Sequence, residues 1–279
     1  MRSLLTVVLV SSSVAPAPAA PIETTVVACA PGYPGNTEQA QPSMDAFAAV
    51  LQRSLDGQHR HISAVYHEAL EAGLERIAAA DAAVALVPLP FYLEYRTRLG
   101  LTPRLLVEQE AGLTESWTLV AAKTSGAPPA GLAGWQLAGM PVYSERFVRG
   151  VALAGWGPLS SNAELKFTSR VLSSLRQASR GESVAVLLDG AQAAASVRLP
   201  FAADLEQLHR SRPVPTSLLC TVAGRLADEE WNRLAATLLQ LHEQPAGAEA
   251  LAELRLVRFH PLQQAELHAL EAAFDEVPD

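Results

Sequence analysis

The stretch Gly181-Glu182-Ser183-Val184-Ala185-Val186-Leu187-Leu188-Asp189-Gly190 decides the fold. Its five central residues are all apolar, which is typical of a strand buried on both faces, as in a parallel sheet. Asp189 follows that strand directly, and open α/β sheets bind their ligands at the carboxyl ends of their strands. The stretch therefore predicts a buried parallel strand that ends in a polar residue facing a ligand cleft.

A second stretch of the same kind, Ala82-Ala83-Val84-Ala85-Leu86-Val87-Pro88-Leu89-Pro90, lies earlier in the chain. It is again an apolar run that ends in residues with restricted backbone angles. Two buried strands with such endings predict two sheets whose strand ends face one cleft.

Strand and helix patterns alternate around both stretches, which is the signature of parallel α/β sheets. The first series has strands at 24–30, 61–66, 82–87 and 104–107, and the second has strands at 139–143, 164–167 and 184–188. Thr- and Val-rich strands at 114–123 and 215–222 connect the two series. The remaining tail reads as helices with no strand, and we expect it to close the first lobe.

We therefore predict an α/β protein with two Rossmann-like lobes joined by two crossing hinge strands, an architecture suited to hinge closure. The first lobe comprises residues 20–115 and 222–279, and the second comprises 121–215. The hinge strands are 116–120 and 216–221. Residues 126–131, rich in Gly and Pro, mark the start of the second lobe.

Composition limits the classes of partner. Of 279 residues, 49% are hydrophobic and 18% are charged, which is enough apolar material for a sizeable core. The formal net charge is −8 and no basic run is present. This charge excludes a nucleic-acid partner that is bound through phosphate neutralisation.

The N-terminus has the pattern of an export signal. Arg2 precedes an apolar segment at 4–10, and Ala17-Pro18-Ala19 provides a small-residue cleavage site. The apolar segment is too short to span a bilayer. We predict a signal peptide at 1–19 and a periplasmic location, the alternative being an apolar tail on a cytosolic protein.

Two cysteines, Cys29 and Cys220, lie in apolar strand-like segments. An exported protein with an even number of cysteines permits a disulfide. Buried free cysteine is also an ordinary core residue. Both alternatives stay open from the sequence.

Five segments carry a family resemblance through their order and spacing: 32–40, 85–93, 181–193, 245–251 and 256–262. Together they resemble the type 2 periplasmic substrate-binding proteins, and within them the phosphate/phosphite/phosphonate-binding (PhnD-like) group of ABC transporters. The resemblance implies a small polar or anionic ligand, phosphonate-like compounds included, that is enclosed between the lobes and delivered to an ABC permease. It implies no cofactor, and we expect a monomer.

The chain departs from this group at 142–147. In the phosphonate binders, the anion site looks like a Ser/Thr-rich turn that opens a helix of the second lobe. Helix N-termini suit anions. At the matching place this chain has Val142-Tyr143-Ser144-Glu145-Arg146-Phe147. Ser144 retains a donor, whereas Glu145 would repel an anion unless it points away.

Nine residues are candidates for ligand contact, several with a structural alternative. Asp189 either faces the cleft or caps the following helix, and Tyr33 either contacts ligand or lies on a surface loop. Arg170 either clamps an anion or pairs on the surface. Phe91 is favoured as a core residue, and Glu115 as a solvated hinge charge. The full set is Tyr33, Pro88, Phe91, Glu115, Ser144, Phe147, Arg170, Asp189 and Thr216.

Two other function classes share this fold: enzymes and ligand sensors. The chain contains no nucleophile elbow, P-loop, zinc-protease helix or dinucleotide-binding glycine motif, so we predict that it is not an enzyme. The same fold could instead serve a membrane receptor or kinase as its ligand sensor, and the sequence does not separate that role from transport.

Overall fold

A computed structural model describes residues 22–33, 35–54, 60–123 and 128–278. The predicted signal peptide at 1–19 lies outside these residues, as do Gly126 and Ala127 of the predicted lobe boundary. The export signal therefore stays a prediction.

The strands and helices alternate in the predicted order. The strands are β1 (Ile22–Cys29), β2 (Arg60–His67), β3 (Ala82–Pro88), β4 (Leu101–Gln109), β5 (Thr114–Glu115), β6 (Thr118–Ala122), β7 (Gln136–Gly139), β8 (Glu164–Phe167), β9 (Val184–Leu188), β10 (Leu205–Arg210), β11 (Val214–Pro215), β12 (Ser217–Val222) and β13 (Leu256–Pro261). The α-helices are α1 (Thr37–Ser54), α2 (Leu70–Ala78), α3 (Leu89–Leu99), α4 (Glu145–Phe147), α5 (Val171–Ser179), α6 (Gly190–Ser196), α7 (Asp228–Gln240), α8 (Pro245–Glu253) and α9 (Gln264–Asp275).

Two sheets share one topology. The first has the order β13-β4-β12-β3-β1-β2, and the second has the order β10-β6-β9-β7-β8. In each sheet three strands that follow one another along the chain run parallel. In the first sheet the antiparallel strand β12 lies between β3 and β4. In the second sheet the antiparallel strand β6 lies between β9 and β10. Each antiparallel strand comes from the other half of the chain, so the chain crosses between the lobes twice. The predicted fold class is confirmed.

The crossing segments are shorter than the predicted hinge strands at 116–120 and 216–221. β6 and β12 each lie in a lobe sheet, and among the described residues the strand ladder that joins the two segments is the β5–β11 pair. The Trp117 N–H donates to Ser211 Oγ (2.9 Å), and the Ser211 N–H donates to the Trp117 carbonyl (2.8 Å). These two bonds join the crossing segments just beyond the β5–β11 ladder, where the ladder itself has ended.

The C-terminal tail contains a strand that the sequence analysis assigned to helix and loop. β13 adds to the edge of the first sheet beside β4, with Leu256 and Phe259 buried on its inner face. The final helix, α9, does not belong to the first lobe alone. It packs against α4 and the π-helical turn at Val148–Ala152 in the second lobe, and it bonds to α3 in the first.

The apolar core is continuous between the lobes. Phe91 of the first lobe and Phe147 of the second lie in one cluster with Trp117 of the crossing segment and Phe274 of α9. Smaller clusters fill the opposite face of each sheet. The two lobes therefore share apolar packing in addition to the crossing segments.

Both cysteines are buried free thiols. Cys29 lies on β1 and Cys220 on β12, and β3 stands between those strands. Strands two places apart are separated by about 9–10 Å, which is too far for a disulfide. The free-thiol alternative is therefore the correct one. Burial raises the pKa of Cys29 to about 12, so its thiol stays protonated.

Candidate functional site

The two lobes meet where the carboxyl end of β1 faces that of β9. Tyr33 lies in the loop after β1, close enough to Asp189 at the end of β9 for its hydroxyl to lower the pKa of that carboxyl. The neighbouring Gly32 has a φ of +82°, and a Cβ there would lie 3.2 Å from the ring of Phe167 in the second lobe. The positive φ and the nearby Phe167 ring both favour glycine at this position. The close approach of Gly32 to Phe167 brings the neighbouring Tyr33 to Asp189.

Asp189 fills both of the roles considered for it. Its Oδ1 accepts a hydrogen bond from the Gln192 N–H (2.7 Å), while Gln192 Oε1 accepts from the Asp189 N–H (3.3 Å). This reciprocal pair is a capping box for α6. The same carboxylate is buried and lies next to the Tyr33 hydroxyl. Burial raises its pKa above the ordinary value, against the hydrogen bonds of Gln192, Ala191 and Tyr33, which lower it.

Glu115 lies in the cleft rather than in solvent, because the β5–β11 pair brings the crossing segment against the start of α6. Its Oε2 accepts from the Gly190 N–H at 3.0 Å. A Cβ at Gly190 would lie 3.1 Å from the Glu115 Cβ, so the close contact depends on glycine there. Burial and the nearby Asp189 carboxylate raise the pKa of Glu115 from 4.5 to about 8. Two carboxyl groups thus share one buried site.

Ser144 is fully buried at the start of α4, and its hydroxyl is engaged by protein groups. Ser144 Oγ accepts from the Phe147 N–H (3.3 Å) and donates to Glu94 Oε2 of α3 (2.6 Å). The residue predicted to donate to an anionic ligand therefore donates to a carboxylate from the first lobe.

Aromatic rings from both lobes surround this contact. Tyr143 stacks on Tyr95 with ring centroids 6.4 Å apart, and Phe167 meets Tyr143 edge-on at 5.7 Å. Sequence reasoning missed Glu94 and Tyr95. They lie three and four residues after Phe91 in α3, so helical spacing places all three on one face, which is the signal that could have found them.

Several predicted contact residues serve the fold instead. Phe91 is in the core, 5.0 Å from Tyr95 between ring centroids, and Phe147 meets Trp117 edge-on at 5.4 Å. The Thr216 hydroxyl donates to the Val107 carbonyl (3.1 Å), which secures a crossing segment.

The last two predicted residues differ in their position. Pro88 is buried as the N-cap of α3 and lines the same cavity as Tyr33. Arg170 is exposed just before α5, and among the described residues it forms no ion pair with the cleft carboxylates. Its role in binding an anion stays a prediction.

A cavity of about 480 Å³ adjoins the site at the carboxyl edge of the first sheet. Tyr33 lines it, so this one side chain borders the cavity and also contacts Asp189 in the second lobe. Its polar lining includes Tyr66, Gln109 and Ser217, and its volume lies within the range of small-molecule sites.

In the described parts of the chain, no three His, Cys, Asp or Glu side chains are grouped to hold a metal ion. Nor does any helix there combine the length and apolar character that crossing a membrane requires.

Comparison with solved structures identifies the fold. A Xanthomonas citri protein bound to ATP superposes with a TM-score of 0.72 at 15% identity, over 91% of this chain and 98% of that chain. PhnD1 from Prochlorococcus marinus in complex with methylphosphonate superposes with a TM-score of 0.64 at 11% identity, over 91% and 98%. This chain has the type 2 periplasmic binding protein fold.

A third structure agrees with this assignment. The binding protein component of an ABC phosphonate transporter from Pseudomonas aeruginosa has a TM-score of 0.62 at 12% identity, over 91% of this chain and 87% of that chain. No protein-family model and no curated protein sequence matches the chain. Similarity at these identities concerns the type 2 fold and does not extend to the ligand.

Proposed function

We propose that the protein is an exported solute-binding protein of an ABC uptake system, which encloses a small polar ligand between its lobes. The observation that carries the proposal is the contact of Tyr33 with Asp189 across the two strand ends. Type 2 sheets present their loops at this edge, and a ligand held there would touch both lobes at once.

Closure would take place about the paired crossing segments. β5 and β11 are joined by a short ladder, and bonds from Ser211 and Thr216 flank it. Short segments of this kind suit a hinge, because few backbone angles have to change as two rigid sheets rotate. Delivery to a permease rests on the fold and on the predicted export signal.

Phosphonate is not the ligand that this site favours. A phosphoryl group at the start of α4 would have to displace the Glu94 carboxylate from Ser144. It would also lie in a cleft that already contains Glu115 and Asp189. Fold similarity to phosphonate binders does not outweigh this arrangement of charge.

Thermal unfolding of the purified protein tests the proposal. The panel contains amines, amino acids, sugars, phosphate and methylphosphonate, each at millimolar concentration. A ligand at a hundred times its Kd stabilises the folded state by about 2.7 kcal/mol, which is a clear rise in Tm. Small-angle scattering of the protein should then give a smaller radius of gyration with the most stabilising compound than without it.

Two variants locate the binding event. Tyr33→Phe removes the hydroxyl that contacts Asp189 and is expected to change the affinity for the stabilising compound. Glu182→Gln alters an exposed carboxylate of the second lobe and should leave the affinity unchanged. If no compound in the panel raises Tm, the solute-binding role is wrong.

A further inference from the structure

The space between the lobes contains three carboxylates, and two of them lie together without an ion pair to any basic side chain of the described residues. Glu115 and Asp189 lie together near Tyr33, and Glu94 lies at Ser144. Among the described residues, the groups that act on Glu115 and Asp189 are Tyr33 and the N–H groups of residues 190–192. None of these groups carries a positive charge. Two buried carboxylates without a cation are unstable unless a proton or a ligand neutralises them.

An aromatic cluster that suits a cation begins beside the carboxylates. Tyr33 lies next to Asp189 and near Tyr143, which in turn contacts Tyr95 and Phe167. The face of an aromatic ring attracts an ammonium group, and the attraction grows when water is excluded. An anion would meet repulsion from the same rings and carboxylates.

The Tyr33 hydroxyl occupies a position that a ligand donor could take. It lies beside Asp189 as a neutral group, whereas the N–H of a primary ammonium in its place would make a charge-assisted bond, which is roughly twice as strong, and a quaternary ammonium would supply its charge alone. Tyr33 also borders the cavity of about 480 Å³. Displacing this side chain would connect the cavity with the carboxylates.

The cavity defines the rest of the ligand. Its charged lining residues, Glu253 and Arg255, are exposed at the rim, and the remainder of the lining is uncharged. Apolar groups such as Met44 and Leu86 alternate there with the amides of Gln39 and Gln109. Such a lining accepts an uncharged body with one or two hydrogen-bonding groups.

We propose that the ligand is a small organic cation, a primary amine or a quaternary ammonium compound, whose charged group lies between Asp189 and Glu115 and whose body enters the cavity beside Tyr33. The proposal rests on the proposed function, since it names the class of solute for the same site. It assigns the ligand a charge opposite to that of a phosphonate.

Calorimetric titration of the full-length protein tests the charge of the ligand. The cationic probes are choline, putrescine and tyramine, and the comparison probes are phosphate, methylphosphonate and glucose. We expect at least one cation to bind, and none of the comparison probes. Asp189→Asn and Glu115→Gln should each weaken the binding of that cation about 10- to 100-fold.

Both variants keep the local structure while they replace a carboxyl group that could carry the charge opposite the cation. Asparagine caps a helix as well as aspartate does, and the glutamine amide oxygen still accepts from the Gly190 N–H. Glu182→Gln, an exposed position, is the matched control and should bind like the unmodified protein.

The outcomes separate the two proposals. Binding of phosphate, methylphosphonate or glucose in place of the cations overturns the assignment of ligand charge and leaves the solute-binding role intact. Cation binding that Asp189→Asn and Glu115→Gln do not weaken overturns the assignment of the site. The absence of binding by any probe, together with an unchanged Tm across the wider panel, overturns the solute-binding role itself.

Discussion

At the scale of single residues, the site is made by side chains that serve structure and cleft together. Asp189 caps α6 and contacts Tyr33, and Ser144 caps α4 and contacts Glu94. The sequence predicted each position from its place at a strand end or a helix start. It did not predict the partners, because Glu94 and Tyr33 come from the other lobe.

The buried Glu115 predicts an unusual dependence of stability on pH. Its folded-state pKa of about 8 lies above the ordinary value of 4.5, so between these values the folded state binds more protons than the unfolded state. The free energy of unfolding should therefore rise as pH falls from 8 to 4.5, by at most about 1.4 kcal/mol per pH unit. Urea denaturation at a series of pH values measures this.

The control for this prediction is Glu115→Gln. His67 and His209 have pKa values lowered by burial, and they oppose the trend below pH 6.5. The informative quantity is therefore the difference in unfolding free energy between the protein and the variant. A difference that does not change between pH 8 and 4.5 would mean that Glu115 titrates normally.

The Ser144–Glu94 hydrogen bond predicts a measurable coupling between the lobes. Ser144→Ala removes a cap and leaves the Glu94 carboxylate without its hydroxyl donor, so we expect a loss of about 1–3 kcal/mol. Glu94→Gln retains an acceptor and should cost less. A double-mutant cycle in urea gives the coupling energy, and a value near zero would contradict a stabilising role for this bond.

At the scale of elements, local pattern succeeded for the long strands and failed where tertiary packing sets the backbone. A strand was predicted at 139–143, but β7 ends at Gly139 and a 3-10 turn, Met140–Tyr143, follows. Pro141 has no N–H for a continuing ladder. After this turn the chain forms only the short helix α4 before a π-helical turn at Val148–Ala152.

Gly150 allows the π-helical turn to pack closely against α9, because it has no side chain. A Cβ at this position would lie 2.6 Å from the carbonyl oxygen of Ala273 and 2.8 Å from a methyl group of Val277. Gly150→Ala should therefore destabilise the protein by about 1–3 kcal/mol through overpacking. Urea denaturation measures the loss. Ala154→Ser, at a nearby exposed position, is the control, and equal stability of the two variants would contradict the close packing.

At the scale of the whole molecule, α9 ties the two lobes together. The ring of Phe274 lies between the guanidinium groups of Arg96 in α3 (5.3 Å) and Arg146 in α4 (4.4 Å). Tyr92 and Arg96 of the first lobe also bond to Glu271 and Asp275 of α9. Any hinge motion has to preserve or break these contacts.

Phe274→Ala should therefore lower the free energy of unfolding and also loosen the packing between the two lobes. Loss of a buried phenylalanine typically costs about 3–5 kcal/mol, and here two cation–π contacts are lost with it. Leu172→Ala, which changes an exposed apolar side chain of α5, is the matched control. Urea denaturation measures the loss of unfolding free energy, and small-angle scattering measures the radius of gyration, which increases when the lobes move apart. A loss no larger than that of the control would show that α9 does not hold the lobes.

The sequence by itself determined the two α/β series, the buried strands at 82–88 and 184–188, and the strand ends that bear Tyr33 and Asp189. Local patterns of apolar residues, prolines and glycines are sufficient for these features, because they depend on neighbours along the chain. Only the tertiary structure decided that β13 joins the first sheet, that α9 spans both lobes, and that Glu94, Glu115 and Asp189 share one cleft. These features depend on contacts between residues far apart in sequence, where the charge of a site is the sum of groups from several elements.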